Sequence, residues 1–266
     1  MLFAAALLLA STLLGESFPA GASAQSLSAG GVASEAGEAL GEGVVGIALP
    51  AWPPLSDPDS LARWEPGEWR YRITAGPRRG QTERESLAQN GMTVRGEAWE
   101  RTVGQEYTLH LRRTAEGSLV LPSEIAHAHD ALVRFEPPLT YLIAGLAPGE
   151  HRVFDGAMDV YSSSRPTMKL YRGKIRATTV HAGVYEVATP AGTFRAVALK
   201  TDYEIQIIAI ASVKDTLYTF YAEGVGKVAE AERRRIAVGL LKTDTKAGKV
   251  LLSFTPARPT PDRQAP

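Results

Sequence analysis

The sequence predicts an all-β protein with one large antiparallel sheet that is strongly curved, as a half-barrel or barrel-like sheet, and little helix beyond a signal peptide. Three observations predict this class. Apolar and charged residues alternate at 68–73, as in a strand with one face on a core. Glycine-containing turns separate short runs of this kind, and no long amphipathic helix interrupts them. Curvature lets about ten strands bury one shared face.

The first 24 residues are predicted to be a secretory signal peptide. Residues 2–14 are apolar except for Ser11 and Thr12, and the small residues Ala22 and Ala24 precede a predicted cleavage point. This apolar segment is shorter than the roughly 20 residues that a membrane-spanning helix needs. We therefore expect an exported protein, periplasmic or extracellular, whose mature chain has no transmembrane anchor.

The chain contains no cysteine and has a formal net charge of zero. A bacterial lipoprotein carries its lipid on a cysteine, and disulfides also need cysteine, so the sequence predicts a protein that is not a lipoprotein. A nucleic-acid partner would require a basic face. The one basic run, at 233–235, is flanked by Glu230 and Glu232, so we expect no nucleic-acid partner.

Three segments follow the signal peptide. Residues 25–59 are rich in Gly, Ala, Ser and Pro and show no sustained period, which predicts a flexible linker. Within it, the Trp-Pro-Pro-Leu run at 52–55 is suited to dock on the domain surface. Residues 60–254 are predicted to form a single β-domain. Residues 255–266 are Pro-rich and predict an extended tail.

The strands of the β-domain are predicted from their alternation and their turns. Residues 107–111 and 197–207 alternate between apolar and polar side chains, whereas 217–221 is apolar on both faces and predicts a central strand. Glycine-containing turn dipeptides punctuate the domain at 76–77, 90–91, 116–117, 148–149, 182–183, 191–192 and 247–248. This spacing favours sequential antiparallel strands over a parallel α/β fold.

Two short segments carry a resemblance to a known family. They are the Thr-Pro-Ala-Gly-Thr-Phe segment at 189–194 and the Tyr-Ala-Glu-Gly-Val-Gly-Lys-Val segment at 221–228, preceded by a Leu-Ala-Pro-Gly turn at 146–149. Over residues 134–241 the chain resembles the TapB-like family of exported bacterial β-proteins of unknown function. The resemblance implies a half-barrel sheet in the cell envelope, and it implies no catalytic residues.

The sharpest candidate for chemistry is the cluster His127, His129 and Asp130. In an extended segment the two imidazoles lie on one face and are placed to share a divalent metal with the carboxylate. Catalytic zinc takes three protein ligands, and the other histidines are scattered along the chain. A polar loop explains the same residues, and this interpretation is the more favoured one.

Other catalytic signatures are missing from the sequence. There is no Gly-x-Ser-x-Gly segment for a serine nucleophile and no cysteine for a thiol nucleophile. Paired carboxylates of the glycosidase kind are not recognisable from spacing alone. The sequence therefore predicts no cofactor, and it favours a protein that is not an enzyme.

Aromatic side chains on the predicted strands are the candidates for ligand binding. A curved sheet lined with aromatics is suited to hold a lipid, an acyl chain or a polypeptide segment. Filling of the core explains the same side chains, because aromatics bury a large area whether or not a cavity exists. The six candidates are Trp69, Tyr71, Trp99, Tyr107, Tyr203 and Tyr218.

Three functions remain open at this point. The first is a non-catalytic exported protein whose curved sheet binds an apolar ligand, such as a lipid, or another envelope component. The second is a metal-assisted hydrolase that uses His127, His129 and Asp130. The third is a structural or assembly scaffold of the envelope that works through its Pro-rich N-terminal segment and exposed strand edges.

Overall fold

The computed structural model describes residues 29–50, 54–55, 58–63, 65–93, 96–208 and 210–257. The predicted signal peptide and most of the predicted C-terminal tail lie outside these residues. The described elements are α1 (Ala29–Leu40), β1 (Val45–Leu49), α2 (Pro58–Ala62), β2 (Gly67–Ala75), β3 (Thr82–Thr93), β4 (Gly96–Val103), β5 (Tyr107–Arg113), β6 (Leu119–Ala126), a 3-10 turn (His127–His129), β7 (Ala131–Leu142), β8 (His151–Ser162), β9 (Lys169–Thr189), β10 (Gly192–Ile207), β11 (Ala211–Ala222), β12 (Gly226–Val238) and β13 (Leu241–Pro256).

Strands β2 to β13 form a closed antiparallel barrel of twelve strands. Each strand pairs with its neighbour in sequence, and β13 returns to pair with β2 through Leu251 and Tyr71. The pairing of β8 with β9 belongs to the same ring, and β1 is added outside it on β9 through Val45 and Val187. The all-β prediction is confirmed. The prediction of a half-barrel or barrel-like sheet left closure open, whereas the observed sheet closes on itself.

The alternation of strand directions gives the barrel two distinct ends. Strands β2, β4, β6, β8, β10 and β12 run towards one end, here called the tip end. The odd-numbered strands from β3 to β13 run towards the other, here called the cleft end. Every connection between consecutive strands therefore lies at one end or the other, and residues far apart in sequence meet there.

Helix α1 packs against the outer wall of the barrel. Val32 and Ala36 on this helix are fully buried. Thr74 on β2 donates its hydroxyl hydrogen to the Ala39 carbonyl at 2.7 Å. A side chain at Gly248 of β13 would collide with that carbonyl, so the glycine permits the close approach.

The predicted flexible linker over 25–59 is therefore wrong for residues 29–49, which form α1 and β1. The helical face is made of Val32, Ala36, Ala39 and Leu40. These residues follow helical spacing, but the alanines give little hydrophobic contrast with the surrounding Gly and Ala. Within the predicted docking segment, Leu55 is buried and its amide donates to the Leu146 carbonyl at 3.1 Å. Trp52 and Pro53 lie outside the described residues.

Candidate functional site

Most of the aromatic side chains predicted to bind a ligand point into the barrel. Trp69 and Tyr71 are completely buried, and Trp99, Tyr107 and Tyr203 are less than one-tenth exposed. Tyr218 differs, because it lies on the outer face of β11 under α1 and donates its hydroxyl hydrogen to the Glu35 carboxylate. The structure thus gathers five of the six candidates in one interior and places the sixth elsewhere.

Charged side chains occupy the same interior. The central cluster is formed by Glu83, Glu85, Arg101, Lys227, Glu230 and Lys249, which are all largely buried. Glu85 is its hub: Lys249 Nζ lies 2.7 Å and Lys227 Nζ 3.0 Å from its Oε1 atom. Arg101 Nε donates to the Glu85 Oε2 atom at 2.7 Å. Three carboxylates face three basic groups, so the cluster is neutral when fully ionised.

The pKa values of the central cluster follow from this pairing. Burial alone would raise the pKa of Glu85, but the charges of Arg101, Lys227 and Lys249 outweigh it and hold that pKa well below its ordinary value. Burial likewise opposes ionisation of Glu230, yet Lys227 and Lys249 lower its pKa to about 2. The carboxylates of this cluster therefore need their cationic partners to remain buried as ions.

A second cluster contains Asp215, Glu232 and Arg234. The Arg234 Nε atom donates to Asp215 Oδ2 at 3.1 Å, and the same guanidinium donates to Glu232. Burial, followed by the charge of Glu232, raises the pKa of Asp215 to about 8. Burial opposes ionisation of Glu232 too, but Arg234 outweighs it and lowers the pKa of Glu232. The two carboxyls titrate as a coupled pair, and at neutral pH the pair holds one proton.

Glu124 is the remaining buried carboxyl of the interior. It is 1% exposed, and its Oε1 atom has no hydrogen-bond partner among the described residues. Burial raises its pKa to about 7. The two clusters and Glu124 together hold six carboxyls and four basic groups, so protonation of Asp215 and Glu124 makes the interior neutral. Neutrality is what a desolvated interior favours.

A small cavity lies beside the central cluster. It is lined by Arg101, Glu124, Tyr203 and Lys227 among others and has a volume of about 60 Å³. One water molecule needs about 10–15 Å³ of such space, so the cavity has room for a few waters. Ligand pockets usually have volumes of about 300–1,000 Å³. The interior aromatic rings contact the buried charges: Arg101 lies 5.3 Å from the centre of the Trp69 ring, and Lys249 lies 5.3 Å from that of Tyr71.

A larger cleft lies at the cleft end of the barrel. Its volume is about 450 Å³, and it is lined by Asp59, Ser60, Arg63, Glu65, Gln89, Glu97, Trp99, Arg113 and Gly224. Trp99 forms part of the wall and its Nε1 atom donates to Glu97 Oε2 at 3.4 Å. Arg113 forms an ion pair with Asp59 on α2. The lining presents three carboxylates, two guanidinium groups and one carboxamide around a single aromatic ring.

Helix α2 and the turn at 223–225 hold the cleft in shape. The Gly224 amide donates to the Ser60 carbonyl at 3.0 Å. Trp69 Nε1 donates to the Val225 carbonyl at 2.7 Å from inside the barrel. Gly226 has φ of +92°, and a Cβ atom there would lie 3.1 Å from the Ala62 carbonyl oxygen. The Gly-Val-Gly segment therefore brings α2 against the end of the barrel.

Sequence reasoning found only Trp99 among the residues of this cleft. Asp59 fell in the predicted linker, and Arg63, Glu65 and Arg113 show no motif. These residues meet because α2 crosses the end of the barrel, and such a crossing leaves no periodic signal in the sequence. The one available signal was the Gly224–Gly226 segment, whose two glycines suit a bulge or tight bend, and it does not identify what packs there.

The three residues of the predicted metal cluster lie at the tip end, in the turn between β6 and β7. Asp130 has a left-handed backbone and accepts hydrogen bonds from the hydroxyl groups of Ser162, Ser163 and Ser164. These bonds lower its pKa. His127 Nε2 is hydrogen-bonded to the Thr108 hydroxyl at 2.9 Å.

These contacts give the turn a structural task, which is to join the β6–β7 and β8–β9 connections. Within the residues that the structure describes, no group of three or more His, Cys, Asp or Glu side chains is placed to hold a metal ion. His127, His129 and Asp130 therefore do not form a three-ligand metal site in this part of the chain. Asp130 is also occupied by serine hydroxyl groups, which a metal would have to displace.

No protein-family model and no curated protein matches this chain, so the TapB-like resemblance is unconfirmed. Solved structures of low identity do match. A protein described as exported, with a YmcC-like fold, from Bacteroides fragilis NCTC 9343 is 16% identical, with 72% of this chain and 96% of that chain covered and a TM-score of 0.43. A protein described as a lipoprotein from Parabacteroides distasonis ATCC 8503 is 11% identical, with 77% and 100% covered and a TM-score of 0.39. The hypothetical lipoprotein YmcC from Escherichia coli K12 is 9% identical, with 74% and 88% covered and a TM-score of 0.35.

The prediction that the protein is not a lipoprotein requires correction. Two of these three structures are described as lipoproteins, so the lipoprotein class is not excluded for this chain. The exclusion rested on the lack of cysteine in the sequence. Among the described residues, no helix has the length and apolar character needed to span a membrane.

Proposed function

We propose that the protein is an exported binding protein that takes a small polar ligand in the cleft at the cleft end of the barrel. One observation carries this proposal: the cleft has a volume of about 450 Å³ and is lined by side chains of both charge signs around Trp99. Its volume lies in the range of small-molecule sites. The cavity of about 60 Å³ beside the central cluster does not.

The lining defines the chemistry of the ligand. Carboxylates accept hydrogen bonds, guanidinium groups donate them in a planar fork, and Gln89 does both. The cleft carries no single dominant charge, because Arg113 is paired with Asp59 and Arg63 with Glu65. Such a lining fits a neutral or zwitterionic ligand with several donors and acceptors better than an apolar chain.

The apolar ligand predicted from the sequence is less well supported by this geometry. A lipid along the inner face of the sheet would have to displace Trp69, Tyr71 or Tyr203 and also separate the ion pairs around Glu85. Breaking a buried ion pair costs about 3–5 kcal/mol. The cleft needs no such rearrangement, which is why we place the binding function there.

The test is native mass spectrometry of the exported protein purified from periplasm, followed by aqueous and organic extraction. We expect a stoichiometric polar adduct in the wild type, and its loss in Gln89→Ala and Glu97→Ala, whose side chains line the cleft. Arg152→Ala is the matched control, since this exposed arginine follows the β7–β8 connection at the cleft end but lies outside the cleft lining. An adduct that passes into organic solvent and persists in both cleft variants would favour the apolar ligand. A wild-type protein with no adduct would contradict the proposal.

A scaffold role is the second candidate, and strand β1 favours it. This strand pairs with β9 on one side only, and Ile47 at its centre is 70% exposed. An exposed strand edge is a site where a partner chain adds a strand. Deleting residues 25–59 would not test this role, because α1 packs on the barrel. Ile47→Pro removes one backbone donor from β1, so loss of a partner in this variant alone would support the scaffold.

A further inference from the structure

The exposed apolar residues of the barrel are concentrated at the tip end. Of the seven large hydrophobic side chains exposed in the described part of the chain, five lie in three hairpins at that end. They are Met168 and Leu170 after β8, Ile208 after β10, and Leu240 and Leu241 after β12. Leu240 is 94% exposed, which is close to the maximum for a leucine in a folded chain.

These three hairpins are consecutive around the barrel. The connections β8–β9, β10–β11 and β12–β13 follow one another at the tip end, because the strands between them pair in sequence order. Their apolar residues therefore lie along one arc of the rim rather than at scattered positions. Contiguous apolar surface on a soluble domain indicates an interaction site, whereas single exposed residues do not.

The shape of this arc distinguishes among partners. Met168, Ile208 and Leu240 lie in the hairpin connections, and Leu170 and Leu241 lie in the adjoining ends of β9 and β13, so the exposed apolar side chains belong to hairpin ends. A groove receives a helix or a strand of a partner protein. Aliphatic side chains at hairpin ends instead insert into a soft apolar medium, which is the way that interfacial segments enter the acyl region of a bilayer.

The charge around the tips agrees with a membrane partner. The segments 163–172, 206–212 and 237–243 contain four basic residues and no acidic residue: Arg165, Lys169, Arg172 and Lys242. Two carboxylates lie close: Asp159 pairs with Lys169 at 2.6 Å and with Arg172 at 3.0 Å, and Asp130 accepts hydrogen bonds from the hydroxyl groups of Ser163 and Ser164. The four basic residues therefore outnumber these carboxylates by two. Basic residues beside an anionic bilayer contribute about 1 kcal/mol each.

We propose that the tip end docks on an anionic phospholipid bilayer, with Ile208, Leu240 and Leu241 entering the interface and the basic residues contacting headgroup phosphates. This inference is independent of the cleft, which lies at the opposite end. A barrel seated in this way would direct the cleft away from the membrane, where a polar ligand has free access.

The test is flotation of the exported, purified protein with two kinds of vesicle, phosphatidylglycerol with phosphatidylethanolamine and phosphatidylcholine alone. We expect the wild type to bind the anionic vesicles, and Leu240→Ser with Leu241→Ser to lower the partition coefficient at least tenfold. Arg165→Glu with Lys242→Glu should lower binding to anionic vesicles by a similar factor. The matched control is Ile47→Ser with Val153→Ser, two exposed aliphatic side chains outside the tips, which should bind like the wild type.

Several results would overturn the inference. Failure of the wild type to bind either vesicle would do so, and so would binding of the Leu240 and Leu241 double variant that is as strong as that of the wild type. Equal loss in the control pair would show a general effect of surface hydrophobicity. Sedimentation equilibrium tests the remaining alternative, in which a second copy of this chain binds the tips. A wild-type dimer that the Leu240 and Leu241 double variant cannot form would assign the tips to that second copy.

Discussion

The two ends of the barrel provide hydrogen-bond partners for their backbone groups in different ways. At the cleft end, segments from outside the barrel strands supply partners: Ser60 accepts from Gly224, and Leu55 is bonded to Leu146. At the tip end, the hairpins of the barrel supply the partners themselves: the Ile210 amide donates to the Ile207 carbonyl at 3.0 Å, and the Ile208 amide donates to the Arg172 carbonyl of β9 at 3.1 Å. The cleft end is therefore held by segments added from outside the barrel strands, and the tip end by the barrel's own hairpins.

This difference shows what the fold requires and what it leaves free. Buried backbone groups need partners, so the covered end depends on α2 and on the turn at 223–225. Hairpin turns close on themselves, so the residues at their tips are not constrained by packing. Leucine and isoleucine side chains at such tips add little to the stability of the fold, so we infer an external partner for them.

The largest expected effect comes from removing one charge from the barrel interior, which lies between the two ends. Glu85→Gln would leave Arg101, Lys227 and Lys249 with one carboxylate fewer in a buried site. We expect the free energy of unfolding to fall by about 3–5 kcal/mol, as when one partner of a buried ion pair is removed. Urea unfolding of both proteins followed by fluorescence measures the change.

Glu68→Gln is the matched control for this prediction. Glu68 pairs with Arg70 and Arg84 on the outer face of the same part of the sheet, where solvent screens the charges. We expect no measurable change in stability for this variant. Equal losses in the two variants would show that the interior charges have no special role in holding the barrel together.

The next effect is a pH dependence carried by Glu124. Its folded pKa of about 7 exceeds the ordinary value of 4.5, so the native state binds more protons than the unfolded state between these values. Stability from this group is complete below about pH 4.5 and is lost as the pH rises through about 7. Glu124→Gln should therefore gain about 2–3 kcal/mol relative to the wild type between pH 5 and pH 8.

Other groups titrate in the same range and define the control. Asp215, with a raised pKa of about 8, loses stability in the same direction as Glu124. Burial lowers the pKa values of His110 and His181, and these act in the opposite direction below about pH 6.5. Asp215, His110 and His181 are present in both proteins, so their contributions largely cancel in the difference between the two stability curves. Parallel stability curves for the wild type and Glu124→Gln would contradict the assignment of a proton to Glu124.

A smaller effect is expected at the cleft end alone, so it distinguishes the two ends directly. Gly226→Ala places a Cβ atom 3.1 Å from the Ala62 carbonyl at a positive φ, so we expect a loss of about 1–3 kcal/mol. Amide hydrogen exchange should show faster exchange in α2 and unchanged exchange in the β10–β11 and β12–β13 hairpins. Gly224→Ala is the control, because its Cβ meets nothing within 4 Å. Faster exchange at both ends in Gly226→Ala would show that the ends are coupled.

The sequence predicted the strands well and their arrangement only in part. Alternation at 68–73 and 107–111 identified faces that the structure confirms, because period two is a direct consequence of strand geometry. Closure of the sheet was not predictable, since it depends on the pairing of β13 with β2, which lie far apart in sequence. No local pattern encodes such pairing.

The candidate site was less predictable than the fold. Alternation in the sequence predicted Trp69, Tyr71 and Tyr203 as ligand contacts, but no pattern predicted that charged residues such as Glu85 share their interior. A charged residue at an alternating position was assigned to solvent by default, because buried charges are rare. The cleft escaped detection because its walls come from α2, β3, β4 and β5, which meet only in the folded chain.

The smallest expected effect completes the comparison of the two ends. Leu146 at the cleft end is 1% exposed and Leu240 at the tip end is 94% exposed. Leu146→Ala should lower the free energy of unfolding by about 2–5 kcal/mol, the usual cost of emptying a buried leucine site. Leu240→Ala should change it by less than about 0.5 kcal/mol, because the side chain contributes no buried area to the folded state. Thermal and urea unfolding of both variants decide the point. A loss of stability in Leu240→Ala as large as that in Leu146→Ala would mean that the tip is part of the packed structure, and the reason to seek a partner for it would disappear.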